Sequence, residues 1–389
     1  MPKKSNRRKD FPLSGSETIP VTSVTQYDTV IVGGGLVGSS IACGIAASGA
    51  RVVVLDGGDR DFRASRGNFG LVWVQGKGAD FAEYAHITRH SAQQWPTFAD
   101  ELLETTGVDV ELQQSGGYDF CLNEDDWQAR EREMQQVAVH TGGDFEYQML
   151  NISELRARIP EVSTEVLGAS YSPQDGHVNP LALLRALHQR MSGLGVHYRA
   201  DHRVLSSRRE GSVFVIDTTQ QNFQCERVVF CAGLSNQTLC RDLGMSIPVQ
   251  PLRGQLLITD RVPRFLPAAT LQVRQTAHGS LQIGDSHEDV GLDESTTLEV
   301  IANLAHRAVR IFPHLARLRL IRAWGALRIM TPDGVPIYHR SDEHPGAFAV
   351  SCHSGVTLAA FHAYELAQWI CDGSGDSLFA PFAADRFNV

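Results

Sequence analysis

The stretch TVIVGGGLVGSSIACGIAASGA, from Thr29 to Ala50, contains no charged residue and is rich in glycine. About 20 consecutive apolar residues are enough for a transmembrane helix, so length and apolarity alone allow a membrane span here. The same stretch also fits a buried strand, a glycine turn and a closely packed helix. Its consecutive glycines, Gly33 to Gly35, favour this second interpretation, because glycine destabilises the interior of a helix.

The glycine spacing points to a nucleotide-binding turn. Gly33, Gly35 and Gly38 form a G-x-G-x-x-G pattern between a predicted strand and a predicted helix, and a second predicted strand ends at Asp56. In such a βαβ unit the glycines allow the tight turn, the approach of a pyrophosphate and close helix packing. The helix N-terminus stabilises the phosphates, and the acid accepts ribose hydroxyls. The pattern predicts a dinucleotide, without distinguishing FAD from NAD.

Composition narrows the class of protein. The chain has 389 residues, enough for about two domains, with 42% hydrophobic and 20% charged residues, as in globular proteins. Its net charge of -9 disfavours nucleic acid as a partner. The 7 cysteines are odd in number and lack C-x-x-C spacing, which predicts reduced thiols in the cytoplasm. No ligand spacing for a metal site is present.

The periodicity predicts an α/β fold in which one domain is interrupted by another. A basic tail (1–26) is expected to be disordered. A Rossmann-like domain alternates with an α+β substrate, or cap, domain built on an antiparallel sheet. Asn179 and Pro180 predict the start of a helix, and ELQQSGGYDFCLN predicts a hairpin. The predicted domain bounds are 27–90, 150–245 and 320–389 for nucleotide binding, and 91–149 and 246–319 for the cap.

Five further segments resemble those of the D-amino-acid-oxidase-like flavoproteins, which include glycine and sarcosine oxidases. They occur in the order typical of that family and extend the resemblance from about residue 27 to the C-terminus. The segments are ASRGNFG (64–70), DGHVNPLALLRAL (175–187), ERVVFCAGLSN (226–236), QPLRGQ (250–255) and WGALRIMTPDGVPI (324–337).

The resemblance implies non-covalently bound FAD in an oxidoreductase. By family position, a helix N-terminus after the CHSGVTLAA segment would face the flavin, although this segment lacks two residues of the family's longer form. Besides the glycine turn and Asp56, the residues implied in cofactor binding are Ala64, Ser65, Asn68, Gly70, Val204, Ala232, Gly233, Gly355, Val356 and Thr357.

The chemistry of the family requires a group that holds the substrate carboxylate while a hydride leaves its α-carbon for flavin N5. Arg328 occupies the family's place for that group, and a guanidinium binds a carboxylate with two hydrogen bonds. A structural ion pair is the alternative for Arg328. His353 could contact the flavin or the substrate amine, because an ordinary imidazole titrates near neutrality, or it could pack the turn. Arg253 is expected to hold strands together or to pair with an acid, and not to contact the substrate.

Within this family the HSGVTLA segment is most similar to the β subunits of D-hydroxyproline dehydrogenase and of octopine and nopaline oxidases. This resemblance implies oxidation of the C–N bond of a D-amino, imino or N-substituted amino acid. It also implies flavin or iron–sulfur partner subunits, with no membrane span in this chain but membrane association through those partners. A stand-alone oxidase that produces hydrogen peroxide and an FAD-binding structural subunit without turnover are the alternatives.

Overall fold

The computed structural model describes residues 25–58 and 64–387. Most of the predicted basic tail lies outside these residues. Its last two positions, Thr25 and Gln26, do not belong to a tail, because they form the start of the first strand and pair with Phe223 and Gln224.

The elements alternate between strands and helices for much of the chain. The strands are β1 (Thr25–Val32), β2 (Val52–Leu55), β3 (Leu71–Val72), β4 (Gly117–Cys121), β5 (Gln148–Asn151), β6 (Gly168–Ser172), β7 (Gly176–His177), β8 (His197–Arg199), β9 (Val204–Glu210), β10 (Val213–Thr218), β11 (Asn222–Phe230), β12 (Gln250–Arg261), β13 (Ala269–Thr270), β14 (Val273–Gln275), β15 (Ser280–Ile283), β16 (Leu320–Met330), β17 (Ile337–Arg340) and β18 (Ala347–Ser351). The α-helices are α1 (Leu36–Ala47), α2 (Ala82–Thr106), α3 (Glu124–His140), α4 (Ile152–Arg158), α5 (Pro180–Gly193), α6 (Asn236–Leu239), α7 (Leu298–Ile311), α8 (Ala359–Phe361), α9 (Ala367–Asp372) and α10 (Asp376–Phe379). A π-helical turn, His362–Leu366, joins α8 to α9.

An eight-stranded sheet forms the centre of the molecule. Its path is β17-β18-β11-β1-β2-β8, and β10 and β9 extend from β11. The pairings of β1 with β2 and β11, of β2 with β8 and of β11 with β18 are parallel. Of these strands, β2 and β18 are buried along their whole length, as expected for parallel strands covered on both faces, whereas β8 at one edge of the sheet is largely exposed. One face carries a core shared with α1, α2, α5 and the last helices, and the opposite face carries a second core.

Two smaller four-stranded sheets lie apart from the central one. The first, β14-β15-β12-β16, is antiparallel, as predicted for the segments at β12, β14 and β15. The second has the order β13-β4-β6-β5. The predicted hairpin at β4 is wrong, because β4 pairs with the distant strands β6 and β13. The α/β fold class with a separate antiparallel sheet is confirmed.

The division into two domains stays a prediction, but packing crosses its bounds in three places. β6, predicted in the nucleotide-binding part, pairs with β4 of the predicted cap. β16, also predicted in the nucleotide-binding part, pairs along its length with β12. The bound at residue 90 cuts α2, whose Trp95 and Phe98 belong to the same core as α1. Strand pairing between distant segments is the reason for these differences.

The uncharged stretch does not form a membrane helix. It contains the end of β1, the glycine turn and α1, a helix of 12 residues. Among the described residues, no helix is both long enough and apolar enough to cross a membrane.

The Gly38→Ala substitution is expected to lower the free energy of unfolding by about 1–3 kcal/mol, the usual cost of overpacking. The reason is that a Cβ at Gly38 would lie 2.0 Å from the carbonyl oxygen of Gly33. Thermal and denaturant unfolding measure the change. Gly193→Ala at the exposed end of α5 is the matched control, since its Cβ meets nothing within 4 Å. Equal stability of the two variants would contradict the prediction.

Candidate active site

Asp56 lies at the carboxyl end of β2, beneath the glycine turn. It is 5% exposed, and its carboxylate accepts hydrogen bonds from the backbone N–H groups of Gly34 (2.8 Å) and Gly58 (2.9 Å). A Cβ at Gly34 would lie 2.5 Å from the ring of Tyr198 and 3.0 Å from Asp56 Oδ2. Glycine at position 34 therefore allows the turn to approach Asp56 closely, because a side chain there would collide with Tyr198.

The N-terminus of α1 has no side-chain cap and no acidic residue in its first turn. The N–H of Leu36 donates to Ser65 Oγ at 2.9 Å, and a Cβ at Gly35 would lie 2.8 Å from that oxygen. Ser65 thus accepts from the first N–H of the helix, while the N-cap residue Gly35 supplies no side-chain cap, and the positive end of the helix dipole favours an anion there.

A cavity of about 520 Å³ opens at this helix end, at the carboxyl ends of β1, β2, β11 and β18. This edge of a parallel sheet is the usual place for ligands in open α/β folds. Eight of the residues predicted to bind the cofactor line this first cavity: Gly33, Gly35, Asp56, Ala64, Ser65, Val204, Ala232 and Gly233.

A second cavity of about 230 Å³ adjoins the first, since Leu36, Val37, Ala64, Ser65 and Cys352 line both. The remaining predicted residues that line it are Asn68, Arg328, His353, Gly355, Val356 and Thr357. The two cavities together form an elongated space with the N-terminus of α1 between them.

Two predicted cofactor-binding residues line neither cavity. Gly38 lies behind the turn, where a Cβ would strike the carbonyl oxygen of Gly33. Gly70 has a φ of +89° and approaches Val178, whose N–H donates to the Gly70 carbonyl at 2.8 Å. Close backbone contacts surround both glycines, in agreement with the packing role expected for the third glycine of the G-x-G-x-x-G pattern, and their part in cofactor binding stays a prediction.

Thr357 anchors the turn that precedes α8. Its Oγ1 accepts from the N–H of Trp73 (3.1 Å) and donates to the carbonyl of Leu71 (3.2 Å). Its carbonyl accepts from Ser91 Oγ (2.7 Å) and Trp95 Nε1 (3.0 Å) of α2. As predicted, a turn precedes this helix, at residues 355–358, and Gly355, Val356 and Thr357 of this turn line the second cavity.

Charged groups from three separate segments line the second cavity. Lys77 follows β3, Asp285 and His287 follow β15, and Arg328 lies on β16. The Arg328 guanidinium forms an ion pair with Asp285, and His287 Nε2 lies 3.5 Å from the same carboxylate. Burial lowers the pKa of Lys77, although Asp285 opposes the shift.

His353 does not have the near-neutral pKa expected from the sequence. Burial, with additional repulsion from Lys77 and Arg328, holds the pKa of its imidazole well below the ordinary value. His353 is therefore neutral at neutral pH. It can accept a hydrogen bond at the cavity but is a poor store for a proton there.

Asp175, which is fully buried, anchors the segment that carries Lys77. Asp175 Oδ1 accepts from the N–H of Val74 and Oδ2 from Gln75 Nε2, both at 2.5 Å. Burial raises the pKa of Asp175 to about 7. A turn anchored by both Asp175 and Thr357 holds Lys77 at the cavity.

Sequence reasoning missed Lys77, Asp285 and His287. Asp285 and His287 follow β15, which belongs to an antiparallel sheet, so the strand-end rule for parallel sheets gave no signal for them. Lys77 follows the ASRGNFG segment in the sequence, but only the fold brings it to the cavity of Arg328.

Known proteins resemble this chain over nearly its whole length. An opine oxidase subunit of Agrobacterium tumefaciens (strain Ach5) is 42% identical over 365 residues, covering 94% of this chain and 98% of that protein. Glycine oxidase of Geobacillus kaustophilus (strain HTA426) is 26% identical over 370 residues, covering 93% and 97%. The crystal structure of glycine oxidase from Geobacillus kaustophilus has a TM-score of 0.86 at 25% identity, covering 92% of this chain and 98% of that one.

The family comparison agrees with these relatives. Residues 28–369 match the DAO family, described as FAD dependent oxidoreductase. The match includes the glycine turn, Asp56 and every charged residue of the second cavity. The chain belongs to the DAO family of FAD-dependent oxidoreductases.

Proposed function

We propose that this chain oxidises the C–N bond of a D-amino, imino or N-substituted amino acid as one subunit of a larger enzyme. The observation that carries the proposal is the Arg328 guanidinium on the wall of the second cavity, beside the turn of the last helix. The role within a larger enzyme is supported by the 42% identity to a protein named as an opine oxidase subunit. We also propose a cytoplasmic location, for which the seven free cysteines are the support.

The described residues fit FAD. The N-terminus of α1, whose N-cap residue Gly35 supplies no side-chain cap, suits a pyrophosphate, and the buried carboxylate of Asp56 at the end of β2 suits ribose hydroxyls. Ser65, Val204 and Ala232 would line the remainder of the dinucleotide site. Burial raises the pKa of the Cys352 thiol, which lines both cavities, to about 12. A protonated thiol is a poor nucleophile, which supports non-covalent binding.

When bound, FAD accepts two electrons, as a hydride, from the substrate carbon. The residues of the chain then have to bind and orient the substrate. Arg328 holds the carboxylate through its planar guanidinium. The neutral imidazole of His353 offers an acceptor to the amino N–H, and the apolar side chains of Leu256 and Trp73 on the cavity wall exclude water.

A direct test begins with the visible spectrum of the purified protein. We expect a yellow flavoprotein whose absorbance is bleached anaerobically by at least one of D-proline, an opine, glycine or sarcosine. Slow reoxidation in air with little hydrogen peroxide supports the role within a larger enzyme, whereas rapid reoxidation with stoichiometric peroxide supports the stand-alone oxidase. A flavin reduced by none of these compounds, with or without partner subunits, would favour the structural subunit.

Arg328→Ala should reduce kcat/KM for the bleaching substrate by roughly 100-fold, since losing one partner of a desolvated charge pair costs about 2–5 kcal/mol. Steady-state kinetics measure the loss. Arg322→Ala is the matched control: Arg322 lies on the same strand, is exposed and contacts the Trp324 ring at 5.6 Å. The proposal is contradicted if the two variants behave alike.

Thr357→Val should weaken FAD binding and lower the free energy of unfolding by about 1–3 kcal/mol, because the buried N–H of Trp73 loses its acceptor. Thr357→Ser keeps the hydroxyl and serves as the control. Fluorescence titration with FAD and thermal unfolding measure the two effects. Retention of FAD affinity in Thr357→Val would show that the turn does not need this anchor.

A further inference from the structure

The guanidinium of Arg328, which is expected to bind the substrate carboxylate, is already paired with a carboxylate of the chain. Arg328 Nη2 is paired with Asp285, and Arg328 Nη1 donates to the carbonyl of Ser286 at 2.7 Å. The guanidinium also lies against the backbone of Gly254, where a Cβ would come within 2.4 Å of Nη1. A substrate can therefore reach the guanidinium only by exchanging with Asp285 or by sharing the cation with it.

The backbone on either side of Asp285 is fixed. Arg307 Nη2 donates to the carbonyls of Gly284 (2.6 Å) and Asp285 (2.9 Å). On the other side, the N–H of Gln255 donates to Ser286 Oγ at 2.7 Å. The exchange must therefore occur by rotation of the Asp285 side chain, with the backbone in place.

The segment that follows is anchored as well, so it does not behave as a lid. Arg253, only 3% exposed, pairs with Glu288 (2.6 Å) and Asp293 (2.6 Å), and the backbones of Arg253 and Glu288 exchange two hydrogen bonds. This confirms the prediction that Arg253 pairs with an acid. Asp285 is therefore a permanent part of the cavity wall.

A displaced Asp285 needs a new partner. Once a substrate carboxylate occupies Arg328, two like charges meet at one guanidinium, which is unfavourable at short distance in a partly buried cavity. The neutral imidazole of His353 cannot balance the second charge. Lys77 and His287 already interact with Asp285 before the exchange, so neither replaces the donor that it loses. A substrate that brings its own N–H groups close to its carboxylate can do so, because an ionised carboxylate accepts strong hydrogen bonds from nitrogen.

We propose that Asp285 is a specificity-determining residue: the substrate carboxylate displaces it from Arg328, and it then accepts hydrogen bonds from the substrate's amino nitrogen. This proposal rests on the proposed function. Carboxylates without an amino group would be disfavoured, because they take Arg328 from Asp285 and supply no hydrogen-bond donor in exchange, which leaves only Lys77 and the His287 imidazole near its charge. Asp285 thereby selects for an amine next to the carboxylate that Arg328 holds.

The test compares acetate and glycine, which differ by one amino group. Dissociation constants are measured anaerobically by calorimetry on the FAD-loaded wild type and on Asp285→Asn, with the flavin reduced beforehand by dithionite so that glycine cannot be oxidised. We expect Asp285→Asn to bind acetate about tenfold more tightly and glycine about tenfold more weakly, because the variant loses a charged competitor and a charged acceptor together. Shifts in the same direction for both compounds would overturn the proposal. So would a wild type that binds acetate as tightly as glycine, or acetate binding to neither protein.

Asp289→Asn is the matched control, because it makes the same charge change in the same segment at an exposed side chain. It should leave both dissociation constants unchanged. Asp285→Glu keeps the charge and should keep the preference for glycine. Asp285→Ala replaces Asp285→Asn if the latter fails to fold with FAD, with the same expected directions. Since binding is measured without turnover, absence of catalysis would count against the proposed function while leaving this comparison intact.

Discussion

Close backbone contact at three glycines determines how the central parts of the molecule meet. A Cβ would lie 2.4 Å from the Cys231 carbonyl at Gly33, 2.0 Å from the Gly33 carbonyl at Gly38, and 2.0 Å from the Ala363 carbonyl at Gly44. The first contact brings the glycine turn against the end of β11. The second packs α1 against that turn, and the third packs the π-helical turn His362–Leu366 against α1. These three contacts position the elements around the cavity at the strand ends. Because such close packing leaves no room for long charged side chains, the lack of charge from Thr29 to Ala50 reflects packing.

The parts of the fold that could be predicted are those encoded within short segments. The β1–α1–β2 unit and the start of α5 were predicted because their signals lie in adjacent residues. Asn179 accepts from the N–H groups of Leu181 and Ala182 and Pro180 begins α5, as the local pattern indicates. The pairing of β4 with β6 depends on residues about 50 positions apart, and periodicity contains no information about such a choice of partner.

The same limit applies to the site. Arg328 was found through a local motif, whereas Lys77 and Asp285 reach it from separate turns that only tertiary contacts bring together. The ordinary pKa of His353 was misleading because burial, which a sequence does not display, changes it. Most residues predicted to bind the cofactor line the two cavities, since they follow the ends of recognisable strands, and their contacts with FAD stay a prediction. Gly38 and Gly70 line neither cavity, and a sequence does not distinguish a glycine needed for packing from one needed for a ligand.

The rigid support of residue 285 has an evolutionary consequence. The groups that hold this backbone, Arg307 and the Gln255 amide, are separate from the side chain that enters the cavity. Replacing the residue at 285 therefore changes the charge of the cavity while leaving its supports in place. Under the role proposed for Asp285, a substitution there would change which carboxylates the cavity accepts, and its cost would lie in the ion pair with Arg328 and not in the backbone. Selectivity and backbone support would then depend on different atoms.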